Sequence, residues 1–376
     1  MNVIHDTVRG YIRNFFSFFL LVVGGILFFA CSDDSEGIFY SLEQEEKAVD
    51  NSLPNSVVIT GDMLKETIDS EERYYVCAGS LFYRTVTVGD TTHWRKIKSP
   101  IDLGIVSGLA KVGGDIFVSV SNGSKHGLFR LNSTGTSYET VNLYNTREIT
   151  RLFALNGNLF ASAGTPLDDT PELLWWNGTN LVPTGITQYL IKAGAWDGTN
   201  YWFAGPSDLF QCTSLPGENS WSSVTPFYSY GMSSPPSSEL EGKTYFTDLF
   251  ADPDYPGTLY LCSSDGYILK TEDSGTTWIS SSDHNKSFKS ITKAAGMIIL
   301  GAGTSVIREL PNAILEDDLN TIERPGGNFS RLPDLYESNV IRVFGFGDIL
   351  FGGTTRNGLW RGDYSTDVSS PVWSQE

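Results

Sequence analysis

The chain has 376 residues, of which 38 are glycine, 13% aromatic and 19% charged, and its formal net charge is −18. That length suits one large domain or two ordinary ones, and a mixture rich in glycine and aromatics but poor in charge suits a β-rich protein with many turns. The acidic residues are spread along the chain with no basic stripe against them, so nucleic acid is excluded as an expected partner and solubility is the simplest role for the charge.

At the N-terminus, Arg9 and Arg13 precede an apolar run from Phe15 to Ala30. The run has 16 residues, short of the roughly 20 that a spanning helix needs. A basic start, an apolar stretch and a small residue before the cut form an export signal. Ala30-Cys31 followed by Ser32-Asp33-Asp34 is similar to the lipobox of bacterial lipoproteins, with Phe28 and Phe29 where that motif usually carries aliphatic and small residues. The resemblance implies removal of residues 1–30 and acylation of Cys31 at its sulfur and amino group. Several acyl chains would hold the protein stably on the lipid bilayer of the inner or outer membrane, on its extracytoplasmic side. An uncleaved anchor helix is the alternative reading of the same run. Residues 31–55 then read as an acidic tether, with Glu43, Glu45, Glu46 and Asp50 before Ser52-Leu53-Pro54-Asn55 and a short helix expected over 41–50. Like charge along such a tether keeps the globular part off an anionic membrane surface.

From residue 56 to 376 the chain repeats one pattern. A strand and a Gly/Asn/Asp turn lead into a strongly apolar second strand, then a loop, a third strand and often a fourth marked by an aromatic. Tyr75, Phe117, Phe160, Trp202, Tyr260, Ile299 and Phe351 take equivalent places in the second strands, at spacings of 42, 43, 42, 58, 39 and 52 residues. That is about the period of propeller blades. First strands recur at Leu109–Val112, Leu152–Leu155, Ala193–Trp196, Leu249–Ala251, Ile291–Ala294 and Val343–Phe346. Turns such as Asn156-Gly157 follow several of them and suit two-residue hairpins, where both central residues need φ > 0. A four-stranded blade cannot bury both faces alone, whereas blades set around an axis bury each face on the next. The expected fold is therefore all-β, a single seven-bladed β-propeller over 56–376. A pair of β-sandwiches is the rival, and it leaves seven similar units unexplained. The run Val57–Thr60 is expected to pair near the N-terminus and help close the ring.

The octad from Thr271 to Trp278 reads as a tight turn. Asp273 can accept hydrogen bonds from its own turn, Gly275 supplies a positive φ, and Trp278 opens the next strand with a large apolar surface. With Thr271 leading it, and Asp252–Tyr260 and Ser264–Lys270 before it, the octad resembles the Asp-box, or BNR repeat, of sialidase-like β-propellers. The complete pattern occurs once. Such propellers include sialidases, xyloglucan-type glycosidases, sortilin-type receptors and photosystem assembly factors, so the resemblance implies a fold and a structural turn (Thr271, Asp273, Gly275, Trp278) rather than an activity.

No catalytic residue, metal ligand or cofactor is expected from the sequence. The four histidines are scattered, no CxxC and no phosphate-cradling GxxxxGK[ST] occurs, and no carboxylate pair stands out for glycoside hydrolysis. Cys77, Cys212 and Cys262 read as buried unpaired thiols, with a Cys212–Cys262 bridge as the alternative. Arg151 and Arg342 lie in first strands, which line a propeller channel, and could form an anion site or an ion pair. The sialidase resemblance asks for a further arginine in the first strand of the first unit, where this chain has Asp62–Ile68. The long connection Pro226–Pro236 carries Tyr228 and Tyr230, and with Asp168, Asp169 and Arg356 on neighbouring loops it forms a candidate binding face. The function expected is a membrane-anchored binding or scaffold propeller for an envelope protein or glycan. A sialidase-like or other glycan-processing hydrolase on the same fold is the alternative.

Overall fold

The computed structural model describes residues 53–54, 57–59, 61–86, 94–142, 147–164, 170–214, 221–224, 246–281, 287–302, 306–310, 340–355, 358–366 and 372–376. Strands and turns account for them, with no helix among the described residues. The first sheet contains β1 (Met63–Ile68), β2 (Glu71–Ala78), β3 (Ser80–Thr85) and β4 (Arg95–Ile97). The second contains β5 (Ile105–Val112), β6 (Asp115–Ser121), β7 (His126–Leu131) and β8 (Tyr138–Asn142). The third contains β9 (Ile149–Leu155), β10 (Asn158–Ala163), β11 (Glu172–Trp176) and β12 (Leu181–Thr187). The fourth contains β13 (Ala193–Trp196), β14 (Tyr201–Ala204), β15 (Leu209–Cys212) and β16 (Ser222–Val224). The fifth contains β17 (Phe246–Ala251), β18 (Leu259–Ser263), β19 (Ile268–Thr271) and β20 (Ile279–Ser280). The sixth contains β21 (Phe288–Ala294), β22 (Met297–Ala302) and β23 (Val306–Leu310). The last contains β24 (Val340–Phe346), β25 (Ile349–Thr354), β26 (Leu359–Asp363) and β27 (Val372–Gln375).

Within every sheet the strands lie in chain order and pair antiparallel. Six sheets are complete four-stranded blades, one fewer than the sequence leads one to expect. The sixth sheet has three strands among the described residues.

Each apolar cluster bridges two neighbouring sheets. Tyr75 of β2 packs with Leu109 and Val118 of the second sheet, while its neighbour Tyr74 faces the other way and packs with Phe351 and Leu359 of the last. Successive side chains of a strand point to opposite faces, and here both faces are covered, so the second strands read as unbroken apolar runs. The same arrangement continues through Phe117 with Leu159, Phe160 with Phe203, Trp202 with Leu261, Tyr260 with Ile298, and Ile299 with Leu350. Each such side chain contributes about 1.5–3 kcal/mol on burial. The cycle closes, because the last sheet packs on the first. That closed cycle of small antiparallel sheets is a β-propeller.

Two segments outside the sheets complete the closure. Ile59 is fully buried between the first and last sheets, and its N–H donates to the Thr354 carbonyl at 3.4 Å. The run around it thus serves the closure foreseen from the sequence. At the other terminus, the Glu376 carboxylate reaches back to the first sheet. Arg84 Nη2 lies 3.1 Å from Oε2, and Trp94 Nε1 donates to the same oxygen at 3.2 Å.

The tight turns have the expected chemistry. Asn156 and Gly157 have φ of 48° and 72°, as a two-residue hairpin turn needs. Cys77, Cys212 and Cys262 are all buried, and no bridge joins Cys212 to Cys262.

Candidate functional site

Each sheet begins with a strand at the channel, and five of the seven innermost pairs carry a register shift at that beginning. A bulge at a strand start turns the next side chain away from the ladder. Strand pairing then identifies one equivalent position per sheet. These positions are Gly108 opposite Ser119, Arg151 opposite Ser162, Ala193 opposite Ala204, Asp248 opposite Cys262, Ser290 opposite Gly301 and Arg342 opposite Gly353. In the first sheet the place falls to Asp62, whose carbonyl accepts from the Cys77 N–H at 3.0 Å. Around the cycle, the charged members alternate in sign: Asp62, Arg151, Asp248, Arg342.

The four charges meet in one network. Arg342 Nη2 is bonded to Asp62 Oδ1, and Arg151 Nη2 lies 3.4 Å from the same oxygen. Arg151 Nη2 is also 3.7 Å from Asp248 Oδ1, and Arg342 Nη1 is 3.9 Å from Asp248 Oδ2. Asp248 is fixed from its own sheet and the next. Its Oδ2 accepts from the Ser290 hydroxyl at 2.9 Å and the Ile291 N–H at 3.1 Å, and its Oδ1 from the Leu249 N–H at 3.1 Å. Ser290 Oγ accepts in turn from the Val343 N–H at 3.3 Å, which links the fifth, sixth and last sheets.

Burial and the neighbouring Arg151 pull the Arg342 pKa below its ordinary value, and Asp62 and Asp248 oppose that shift. Burial, with Asp62 close by, pushes the Cys77 thiol well up. The guanidinium groups also lie over rings, Arg151 over Phe153 at 5.6 Å and Arg342 over Phe344 at 5.8 Å. Among the described residues no hydrogen-bond partner reaches Asp62 Oδ2 or Arg151 Nε.

These groups border a cavity of about 240 Å³, walled also by Met63, Phe153, Phe344 and Phe346. The arrangement can hold a small polar guest against aromatic surface. Arg151 and Arg342 thus do point to a common site, but each stands between two carboxylates, and the site sums to zero formal charge. Sequence reasoning missed Asp62, Asp248 and Ser290. The signal lies in the strand register, where each stands opposite the residue two places after the aligned aromatic or apolar residue of its second strand.

The 271–278 turn lies elsewhere, between β19 and β20. Thr271 Oγ1 donates to Asp273 Oδ1 at 2.8 Å and accepts from the Gly275 N–H at 2.9 Å. Asp273 also accepts from the Thr277 N–H at 2.8 Å and the Thr277 hydroxyl at 2.7 Å. Gly275, at φ 81°, rests on the ring of Trp202 in the preceding sheet. Trp202 Nε1 donates to Asp197 Oδ2 at 2.7 Å, and its ring meets Trp278 edge-on at 6.1 Å. The turn therefore joins two sheets and touches none of the four channel charges. Cys31, Asp168, Asp169, Tyr228, Tyr230 and Arg356 lie outside the described residues. Among the described residues no group of acidic, histidine or cysteine side chains could hold a metal, and no helix is long and apolar enough to cross a membrane.

The chain is thus a β-propeller with a charge-alternating channel mouth. No family model matches the sequence, and no curated protein matches it. Solved structures do. YCF48 from Cyanidioschyzon merolae is 13% identical, with a TM-score of 0.56 over 84% of this chain and 98% of that one. A structure of YCF48 bound to D1 peptide is 14% identical, with a TM-score of 0.56 over 82% and 93% of the two chains. The WD40 propeller domain of Doa1 is 12% identical, with a TM-score of 0.53 over 87% and 96%. At these identities the likeness is one of fold.

Proposed function

We propose that the chain is a bacterial lipoprotein whose propeller serves as a binding platform for a protein or glycan of the cell envelope. In this reading residues 1–30 are a signal peptide, Cys31 carries the acyl chains, residues 31–55 are the tether, and the sheet β21–β23 counts as the seventh blade of an Asp-box propeller. The observation that carries the platform role is the charge quartet. A sialidase-like site needs arginines free to hold a carboxylate, and here Arg151 and Arg342 are both engaged by Asp62 and Asp248. One propeller of similar fold is described with a peptide bound, which supports recognition over hydrolysis.

The loop face with Tyr228, Tyr230, Asp168, Asp169 and Arg356 is proposed as the wider contact surface. Two experiments test the whole reading. Labelled palmitate should enter the wild-type protein and not Cys31→Ala. Crosslinking in intact envelopes should yield a defined partner that is lost when residues 226–236 are replaced by a short glycine-serine link. Labelling of the Cys31→Ala protein would refute the anchor, and an unchanged crosslink pattern would refute the loop face.

A further inference from the structure

We propose that the channel mouth between Asp62 and Arg151, over Phe153, Phe344 and Phe346, binds a neutral polyhydroxylated ring about one hexose in size. The inference rests on reading the chain as a binding propeller and names the ligand class of its central site.

Size comes first. The cavity of about 240 Å³ falls below the roughly 300–1,000 Å³ that drug-sized ligands occupy, so it admits one ring and not an extended chain. Charge comes second. Two guanidinium groups and two carboxylates alternate around the mouth, and the sum rewards neither a cation nor an anion. An anion would have to draw an arginine away from an aspartate. A zwitterion would have to compete at both ends, its amine against Arg342 on Asp62 and its carboxylate against Asp248 on Arg151. A hydroxyl displaces neither, because it donates and accepts at once.

Remaining hydrogen-bonding capacity comes third. Arg151 stands 3.4 and 3.7 Å from its two carboxylates, longer than the roughly 2.7–2.9 Å of a tight charge-assisted bond. Its side chain and that of Asp62 keep 20% and 17% of their surface open. Hydroxyl groups on adjacent ring carbons can therefore accept from Arg151 and donate to Asp62 while the quartet stays intact. Arg151 and Arg342 already lie over Phe153 and Phe344, so half-buried Phe346 is the lining ring that can meet the C–H face of a sugar, aromatic surface a more polar guest would leave unused.

The test uses the purified full-length chain in detergent and ligand-observed saturation-transfer NMR. The probes are methyl glycosides of glucose, galactose and mannose, with acetate, glycine and N-acetylneuraminate as anionic and zwitterionic comparators. At least one neutral glycoside should bind in the millimolar range, ahead of all three comparators. Asp62→Asn and Arg151→Lys should each weaken that glycoside about tenfold or more, the loss of a hydrogen bond to a charged group. Ile105→Ser, at an exposed position outside the cavity lining, should leave it unchanged. Absence of transfer to every neutral glycoside, or preference for acetate, glycine or N-acetylneuraminate, overturns the proposal. The panel on the unaltered chain decides this even if a channel variant fails to fold. Loss of glycoside binding with the envelope crosslink intact removes this site and leaves the platform standing. Release of nitrophenol from the matching nitrophenyl glycosides would overturn the platform reading itself.

Discussion

Gly275→Ala tests how one blade is locked onto the next. Gly275 has φ 81°, where an L side chain crowds its own backbone at a cost of about 1–2 kcal/mol. It also faces the ring of Trp202. A β-carbon there would lie 2.9 Å from Cζ2 and nearer still to Cη2, closer than packed carbons approach. Trp202 cannot easily give way. It is fully buried, its indole N–H is held by Asp197, and Trp278 meets it edge-on. Overpacking of this kind costs about 1–3 kcal/mol, so the total is about 2–5 kcal/mol. Gly113→Ala provides the comparison. Its φ is 60° and nothing lies within 4 Å of the added carbon, so only the backbone cost of about 1–2 kcal/mol remains. Urea denaturation should place Gly275→Ala below Gly113→Ala by about 1–3 kcal/mol. The cost of Gly275→Ala should be smaller when measured in a Trp202→Phe background than in wild type, because the smaller ring vacates the collision. Equal losses in the two alanine variants, or an unchanged Gly275→Ala cost in the Trp202→Phe background, would refute the packing argument.

Three further outcomes follow from other parts of the fold. Glu376→Ala should cost about 3–5 kcal/mol in denaturation, since it strands the buried Arg84 guanidinium and the Trp94 indole N–H, and Glu376→Gln should cost less; a loss under about 1 kcal/mol would show that this contact does not hold the first and last sheets together. Burial alone would raise the Asp273 carboxyl, but hydrogen bonds from the Thr277 hydroxyl, the Thr277 N–H and the Thr271 hydroxyl outweigh it and hold the group below the ordinary carboxylate range. A depressed carboxylate contributes stability that is present above its unfolded pKa and lost as pH falls through the folded one, so the advantage of wild type over Asp273→Asn should be full at neutral pH, begin to fall near pH ~4 and vanish only as the pH drops through the lower folded value. Burial, reinforced by Asp248, raises the Cys262 thiol to about 12, and burial pushes Cys77 well above the ordinary thiol range. A thiol reagent at mild alkaline pH should therefore leave both unlabelled in the native protein. Unfolding should expose three thiols, Cys77, Cys212 and Cys262, if Cys31 is acylated, and four if it is not.

The propeller was legible because its physics is periodic. A blade buried on both faces needs unbroken apolar second strands, and those strands carry Tyr75, Phe117, Phe160, Trp202, Tyr260, Ile299 and Phe351 at near-regular intervals. The turns were legible because positive φ selects asparagine and glycine, as at Asn156-Gly157. The fourth strands were harder to see. Two of them, Ser222–Val224 and Ile279–Ser280, have only three and two residues, too few to carry a periodic signal. The blade count suffered accordingly, since the sheet β21–β23 has three strands among the described residues.

The channel charges were half legible, for a related reason. Arg151 and Arg342 stand out in apolar first strands, so they drew attention as an anion site or an ion pair. Asp62 and Asp248 stand at the same structural position but next to turn-like or polar neighbours, where an acid reads as solvated surface. A residue's partner in a propeller lies one or more blades away around the ring, as with Arg342 and Asp62, 280 positions apart. Only strand register brings such residues to one level. In that register Asp62, Arg151, Asp248 and Arg342 each stand opposite the second-strand residue two places beyond the shared aromatic, although their separations along the chain differ because the intervening hairpins are of unequal length. The result is a neutral, alternating ring of ion pairs. The sign pattern around the axis, and not the presence of any single arginine, is what determines the chemistry of guest this channel mouth can accept.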